Sequence, residues 1–126
     1  MPEKFSVRSE TQSVDDQPVG VFRLQGTVDA SATSDLDEQF SAVADNGARH
    51  FVFDFAGVQY ISSAGLRLLL RFRKTALDAG GDIRVCGLRR DIRENVFEAL
   101  GFARLIRLCV DVDEALASFT GGRPEA

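Results

Sequence analysis

The sequence predicts an α/β fold, a mixed β-sheet of about five strands combined with four helices. Segments of strand-like alternation and segments of 3.6-residue periodicity follow one another in the order β-β-α-β-α-β-α-β-α. The run "HFVFDFAGV" places Phe51, Phe53 and Phe55 on one strand face and Val52 on the other, the pattern of an interior strand covered on both sides. Strand-helix-strand units that close within one sheet form right-handed parallel crossovers, which leaves the N-terminal strand as the antiparallel member. Periodicity alone leaves open whether the helices cover one face of the sheet or both.

Each element has its own signal. "KFSVRS" alternates apolar and polar residues, "ETQSVDDQP" reads as a polar turn, and "VGVFRLQG" resumes as a strand, so the three form a hairpin. Ser34 with Asp37 reads as a capping box ahead of Leu36, Phe40 and Val43, a first helix ending near Gly47. Asp54 is the one charged residue inside the following strand. A second helix runs from Gly65 to about Ala79, with Leu66, Leu69, Leu70, Ala76 and Leu77 as its apolar stripe. Arg67, Arg71, Lys74 and Asp78 occupy another face, and Gly80-Gly81 ends the helix. "DIRVCG" is a strand, and "DIRENVFEALGF" a third helix with Ile92, Val96, Phe97 and Leu100 inward and Gly101 at its C-cap. "ARLIRLCV" is a short last strand. Asp111 with Glu114 then caps a fourth helix that buries Val112, Ala115, Leu116 and Phe119, before a frayed tail at 120–126.

At 126 residues the chain suits one domain, residues 1–126, large enough to fold without metal or disulfide support. Ten Phe and no Trp point to an aromatic core. A net charge of −4 disfavours direct binding to nucleic acid, whose phosphates require a basic face. The N-terminus "MPEKFSVRSE" lacks the apolar core of a signal peptide, and no stretch approaches the ~18 apolar residues of a membrane span, so a cytoplasmic protein without membrane insertion is expected. Cys86 and Cys109 lie in apolar runs without CxxC spacing or neighbouring His, so they read as free, buried thiols rather than metal ligands.

Chemistry concentrates in "YISSAGLRLLLRF", where Ser62 and Ser63 stand between a strand and the second helix, at the end of the sheet where α/β folds bind ligands. A serine here can act as a helix cap alone. A nucleophilic role needs a base, and the only histidine, His50, begins the same strand more than ~20 Å away at ~3.3 Å per residue. "SSAG" also lacks the GxSxG elbow, and neither GxxxxGK[ST] nor GxGxxG occurs, so no enzyme, cofactor or nucleotide site is expected. A phosphate accepted by one serine would meet free N–H groups and the positive end of the helix dipole.

"FVFDFAGVQYISSAGLRLLLRFRK" resembles the central segment of the STAS domain, the sulfate transporter and anti-sigma factor antagonist family. "LQGTVDASATSDL" and "FEALGFARLIRL" extend the resemblance over nearly the whole chain. It implies helices stacked mainly on one face of the sheet. It also implies a bacterial anti-sigma factor antagonist that works by partner switching. The unphosphorylated form binds an anti-sigma factor serine kinase and releases a sigma factor, phosphorylation switches it off, and a PP2C-type phosphatase restores it. Carried across by position, the phosphorylated residue is Ser63, with Ser62 where the family often has Asp, Ala64 in place of Ser or Thr, and Gly65 matching. Asp29 in "GTVDA" matches a family aspartate near that site, as a supporting or partner-contact residue or simply a turn-forming one. Arg67, Arg71 and Lys74 are candidates for contact with an acidic kinase surface, or a solvated helix face. The alternative is a non-phosphorylated STAS binding module in another signalling pathway or a lipid or anion transporter complex. The oligomeric state stays open.

Overall fold

The computed structural model describes residues 4–120 and shows the expected order of elements, β1 (Ser6–Val14), β2 (Gln17–Val28), α1 (Thr33–Asp45), β3 (His50–Ile61), α2 (Ser63–Asp78), β4 (Asp82–Cys86), α3 (opening at Arg90–Ile92), β5 (Arg107–Cys109) and α4 (Val112–Ala117). Residues 121–126 of the expected tail lie outside the described residues. The strands form one sheet in the order β1-β2-β3-β4-β5, antiparallel between β1 and β2 and parallel thereafter. Every crossover steps one strand in the same direction. Right-handed connections of that kind must put α1, α2 and α3 on a single face, and they do. Leu36 and Phe40 of α1, Leu69 and Phe72 of α2, and Ile92 and Phe97 of α3 share one core with Phe22, Phe53 and Val85 of the sheet. Helix α4 alone crosses to the other face, where Ala115 packs on Val19, Val21, Val52 and Cys86.

The phenylalanines build the larger core as a stack. Phe22 lies 5.0 Å from Phe53, Phe53 lies 5.5 Å from Phe72, and Phe72 lies 4.0 Å from Phe40. Such pairs add roughly 0.5–1.5 kcal/mol each beyond burial. The second helix docks there through Gly65, Leu66, Leu68, Leu69, Phe72 and Ala76, so Leu66, Leu69 and Ala76 are buried as expected, Leu68 and Phe72 join them, and Leu77 is exposed. On the opposite face, Phe119 lies between His50, at a ring separation of 4.5 Å, and the Arg84 guanidinium, 4.3 Å from its ring centre. Both cysteine thiols are free, and burial pushes that of Cys86 up to about 12.

The last strand is confined to Arg107–Cys109, with a 3₁₀ turn at Phe102–Arg104 where the expected strand "ARLIRLCV" begins, and three further local expectations need correction. The hairpin turn is only Asp15-Asp16, both at positive φ, and "SETQSV" continues β1 as an edge strand whose half-exposed alternation imitates a loop. The first helix is not capped by Ser34 and Asp37, which lie inside it; a 3₁₀ turn at Ala30–Ala32 precedes it, and Asp29 caps that turn. After Arg90–Ile92, α3 continues as a π-helical stretch, Arg93–Glu98, marked by the Ala99 N–H donating to the Glu94 carbonyl at 3.1 Å. Five-residue spacing brings Ile92 and Phe97 to one face and rotates Leu100 out, leaving it 63% exposed.

Strand β3 departs from regular pairing twice. Phe55 and Ala56 oppose the single Leu24, and Gln59 is extra between Val58 and Tyr60. Each extra residue flips the alternation, so burial passes from every second residue to Phe55, Val58 and Ile61. Asp54 explains how the first bulge is sustained. Its Oδ1 accepts the freed Ala56 N–H at 3.0 Å, while its Oδ2 lies 3.3 Å from the Arg23 guanidinium. Replacing Asp54 by Ala orphans that N–H and is expected to cost about 1–3 kcal/mol. Asp54→Asn, which keeps an acceptor, is expected to lose less. Urea unfolding at unchanged m-value checks both, and an unaltered midpoint for Asp54→Ala would contradict the role.

Candidate functional site

The carboxyl ends of β2 and β3 and the first turn of α2 meet at one edge of the domain. Val28 and Ile61 are register partners at the last rung of the two strands, and the Ser62 N–H extends the pairing by donating to the Val28 carbonyl at 2.9 Å. Ser62 stays extended and its Oγ accepts the Gly65 N–H at 3.3 Å, so it is the N-cap of α2. Ser63 is therefore the first helical residue, and it is exposed.

Gly65 sets how closely the helix approaches. A Cβ there would lie 2.8 Å from Ile61 Cγ1 and 2.9 Å from the Val28 carbonyl oxygen. No other residue fits without moving α2 or the end of β2. Glycine is thus required by the neighbouring backbone, not by a special φ.

Asp29 follows Val28 directly. Its Oδ1 accepts both the Ser31 hydroxyl at 2.7 Å and the Ser31 N–H at 3.0 Å, and chiefly that hydroxyl holds its carboxyl below the usual value. The aspartate fastens the 3₁₀ turn that leads into α1, beside the start of α2. Ala64, Arg67, Leu68 and Arg71 of α2 face Thr33, Ser34 and Asp37 of α1 across a cleft of about 270 Å³. Arg71 bridges it to Asp37 at 2.8 Å, and Lys74 pairs with Asp78 at 3.1 Å within α2. Arg67 is exposed and pairs with no acid among the described residues.

The structure thus gathers Asp29, Ser62, Ser63, Ala64 and Gly65 at one end of the sheet, with Arg67 one turn and Arg71 two turns further along α2 in the cleft with α1. It keeps His50 at the far end of β3, so serine and histidine do not meet. Among the described residues, no group of three or more His, Cys, Asp or Glu is placed to hold a metal ion. Tyr60, 56% exposed just before the serines, is a part of this surface that the sequence pattern does not disclose. The bulge at Gln59 turns it outward, and period-two reasoning carries no trace of a bulge.

The family model of the STAS domain matches residues 10–115. The chain belongs to the STAS domain family. A curated relative from Bordetella bronchiseptica, BtrV, named as a candidate anti-sigma factor antagonist, is 35% identical over 101 residues, covering 80% of this chain and 86% of its own. The fold resembles that of an anti-sigma factor antagonist from Mycobacterium paratuberculosis, with a TM-score of 0.73, 21% identity and coverage of 90% of this chain and 93% of the other. It also resembles the Bacillus cell fate determinant SpoIIAA in its phosphorylated form, with a TM-score of 0.64, 18% identity and coverage of 87% and 97%. No helix of this STAS domain is long and apolar enough to cross a membrane, among the described residues.

Two substitutions test the pedestal under Ser63. Ser62→Ala is expected to cost about 1 kcal/mol through the lost cap. Gly65→Ala would gain up to ~1 kcal/mol from helix propensity alone. The overlap with Val28 and Ile61 instead predicts a net loss of about 1–3 kcal/mol. Chemical denaturation reads both; a stabilised Gly65→Ala variant would refute the close approach.

Proposed function

We propose that this STAS domain is an anti-sigma factor antagonist that acts by partner switching, with Ser63 as the phosphate acceptor. The observation that carries the reading is the position of Ser63, exposed at the first residue of α2 directly after a capping residue that is hydrogen-bonded to the end of β2. The relationship to BtrV and the existence of the same fold in a phosphorylated relative support it. The unphosphorylated domain binds an anti-sigma factor serine kinase through the surface around Tyr60, Ser63 and Arg67 and frees the sigma factor. Phosphorylation adds about two negative charges to a closely packed interface that faces an acidic kinase surface, and repulsion and desolvation of ~2.7 kcal/mol weaken it about a hundredfold. A PP2C-type phosphatase resets the cycle in the cytoplasm. The domain is the substrate of that cycle, not its catalyst.

Ser62 bears on how the kinase is engaged. It caps the helix as an aspartate would, but supplies no carboxylate beside the acceptor hydroxyl. Those departures at Ser62 and Ala64 favour a second reading, a STAS binding module that uses the same surface without phosphorylation in another signalling pathway or a transporter complex. Incubation with the cognate kinase and ATP, followed by peptide mass spectrometry, separates the two. The first reading predicts a phosphate on Ser63 and its loss in Ser63→Ala. It also predicts that Ser63→Ala holds the kinase after wild type has released it. An unlabelled Ser63, or wild-type cycling by Ser63→Ala, would overturn it.

A further inference from the structure

We infer that a phosphate on Ser63 is met within the same chain by the Arg67 guanidinium, so that modification withdraws this cation from the surface offered to the partner. The inference rests on Ser63 as the acceptor and names the group that answers its new charge. Ser63 and Arg67 stand four residues apart in α2, on one face of the helix. Helical Cα–Cβ bonds tilt towards the N-terminus, and long side chains lie back over the preceding turn, so Arg67 extends towards Ser63 rather than away from it.

The neighbouring charges leave Arg67 as the available partner. Arg71 is held by Asp37 at 2.8 Å and Lys74 by Asp78 at 3.1 Å. Arg67 is exposed, has no ion-pair partner among the described residues and lies at the rim of the cleft beside Ala64, the residue that follows Ser63. The Thr33 hydroxyl is already committed, donating to the Ala30 carbonyl at 2.8 Å. Asp29, next to the Val28 carbonyl that receives the Ser62 N–H, places a negative charge near the same helix start. Beyond the helix start itself, a new dianion gains from a nearby cation, and Arg67 is the one within a helical turn that no acid engages. The same guanidinium cannot then serve an acidic side chain of the kinase. Loss of a contact adds to the repulsion.

The test uses the full chain with phosphoserine incorporated at position 63 during translation, in the parent, Arg67→Gln and Arg71→Gln backgrounds. Phosphorus NMR follows the second ionisation of the phosphate at low ionic strength. The expected midpoint in the parent lies roughly 0.4 pH unit below that of Arg67→Gln, the size of an exposed i,i+4 ion pair to a doubly charged group. Arg71→Gln is expected to move it by less than half as much, and 1 M salt to erase the difference. Equal midpoints in the parent and Arg67→Gln, or a displacement that follows Arg71 instead, would overturn the inference. Because the phosphate is built in, a kinase that leaves Ser63 unlabelled counts against the acceptor reading alone and leaves this outcome intact.

Discussion

Helix α2 can sit on the sheet only because nothing stands between its first turn and the end of β2. The Ser62 N–H reaches the Val28 carbonyl at 2.9 Å, and Gly65 leaves the space where any Cβ would strike that same oxygen. With position 65 turned inward, the 100° step per residue places 63 and 67 about 40° apart on the outer side of the helix. Exposure of Ser63 and its alignment with Arg67 are therefore consequences of one close packing contact. That contact also sets the height of Leu69 and Phe72, and through the 4.0 Å stack of Phe72 on Phe40 it fixes α1. The cleft between α1 and α2, with Arg71 bridging to Asp37, follows from that height.

A second constraint acts from below. The bulges in β3 re-aim its last residues, so that Val58 and Ile61 stay in the core while Tyr60 is turned to solvent beside the serines. Asp54 makes the first bulge tolerable by accepting the Ala56 N–H, and Arg23 balances its charge. The one charged residue inside this strand is a backbone ligand. Its effect on the candidate site is indirect, through the course of the strand.

Much of this was legible in the residues. The alternation of periods gave the order of elements because most strands and helices here bury one clear face, and Asp111 capping α4 was readable because a capping box is a local contact. The second half of the edge strand reads as a turn because β1 packs only half its residues. The phase of α3 failed at Leu100 because a π-helical stretch changes the spacing without changing composition. Which face the helices cover was a property of strand order, not of any segment. In the site, Ser62 as cap followed from adjacent residues. The Arg71–Asp37 bridge spans 34 positions and the steric need for Gly65 comes from Val28, and single-segment patterns carry neither.

The proposed switch then has a simple physical form. A serine is presented on a fixed pedestal, and a charge added to it changes the surface with little change of fold. The most direct measurement of this claim is amide hydrogen exchange across residues 60–67 in the unmodified domain. If the pedestal is rigid, the Ser62 and Gly65 amides, bonded to the Val28 carbonyl and the Ser62 hydroxyl, exchange near the global unfolding rate while the Ser63 amide exchanges fast. Uniformly rapid exchange from Ser62 to Leu66 would mean a frayed helix start, and would contradict the account.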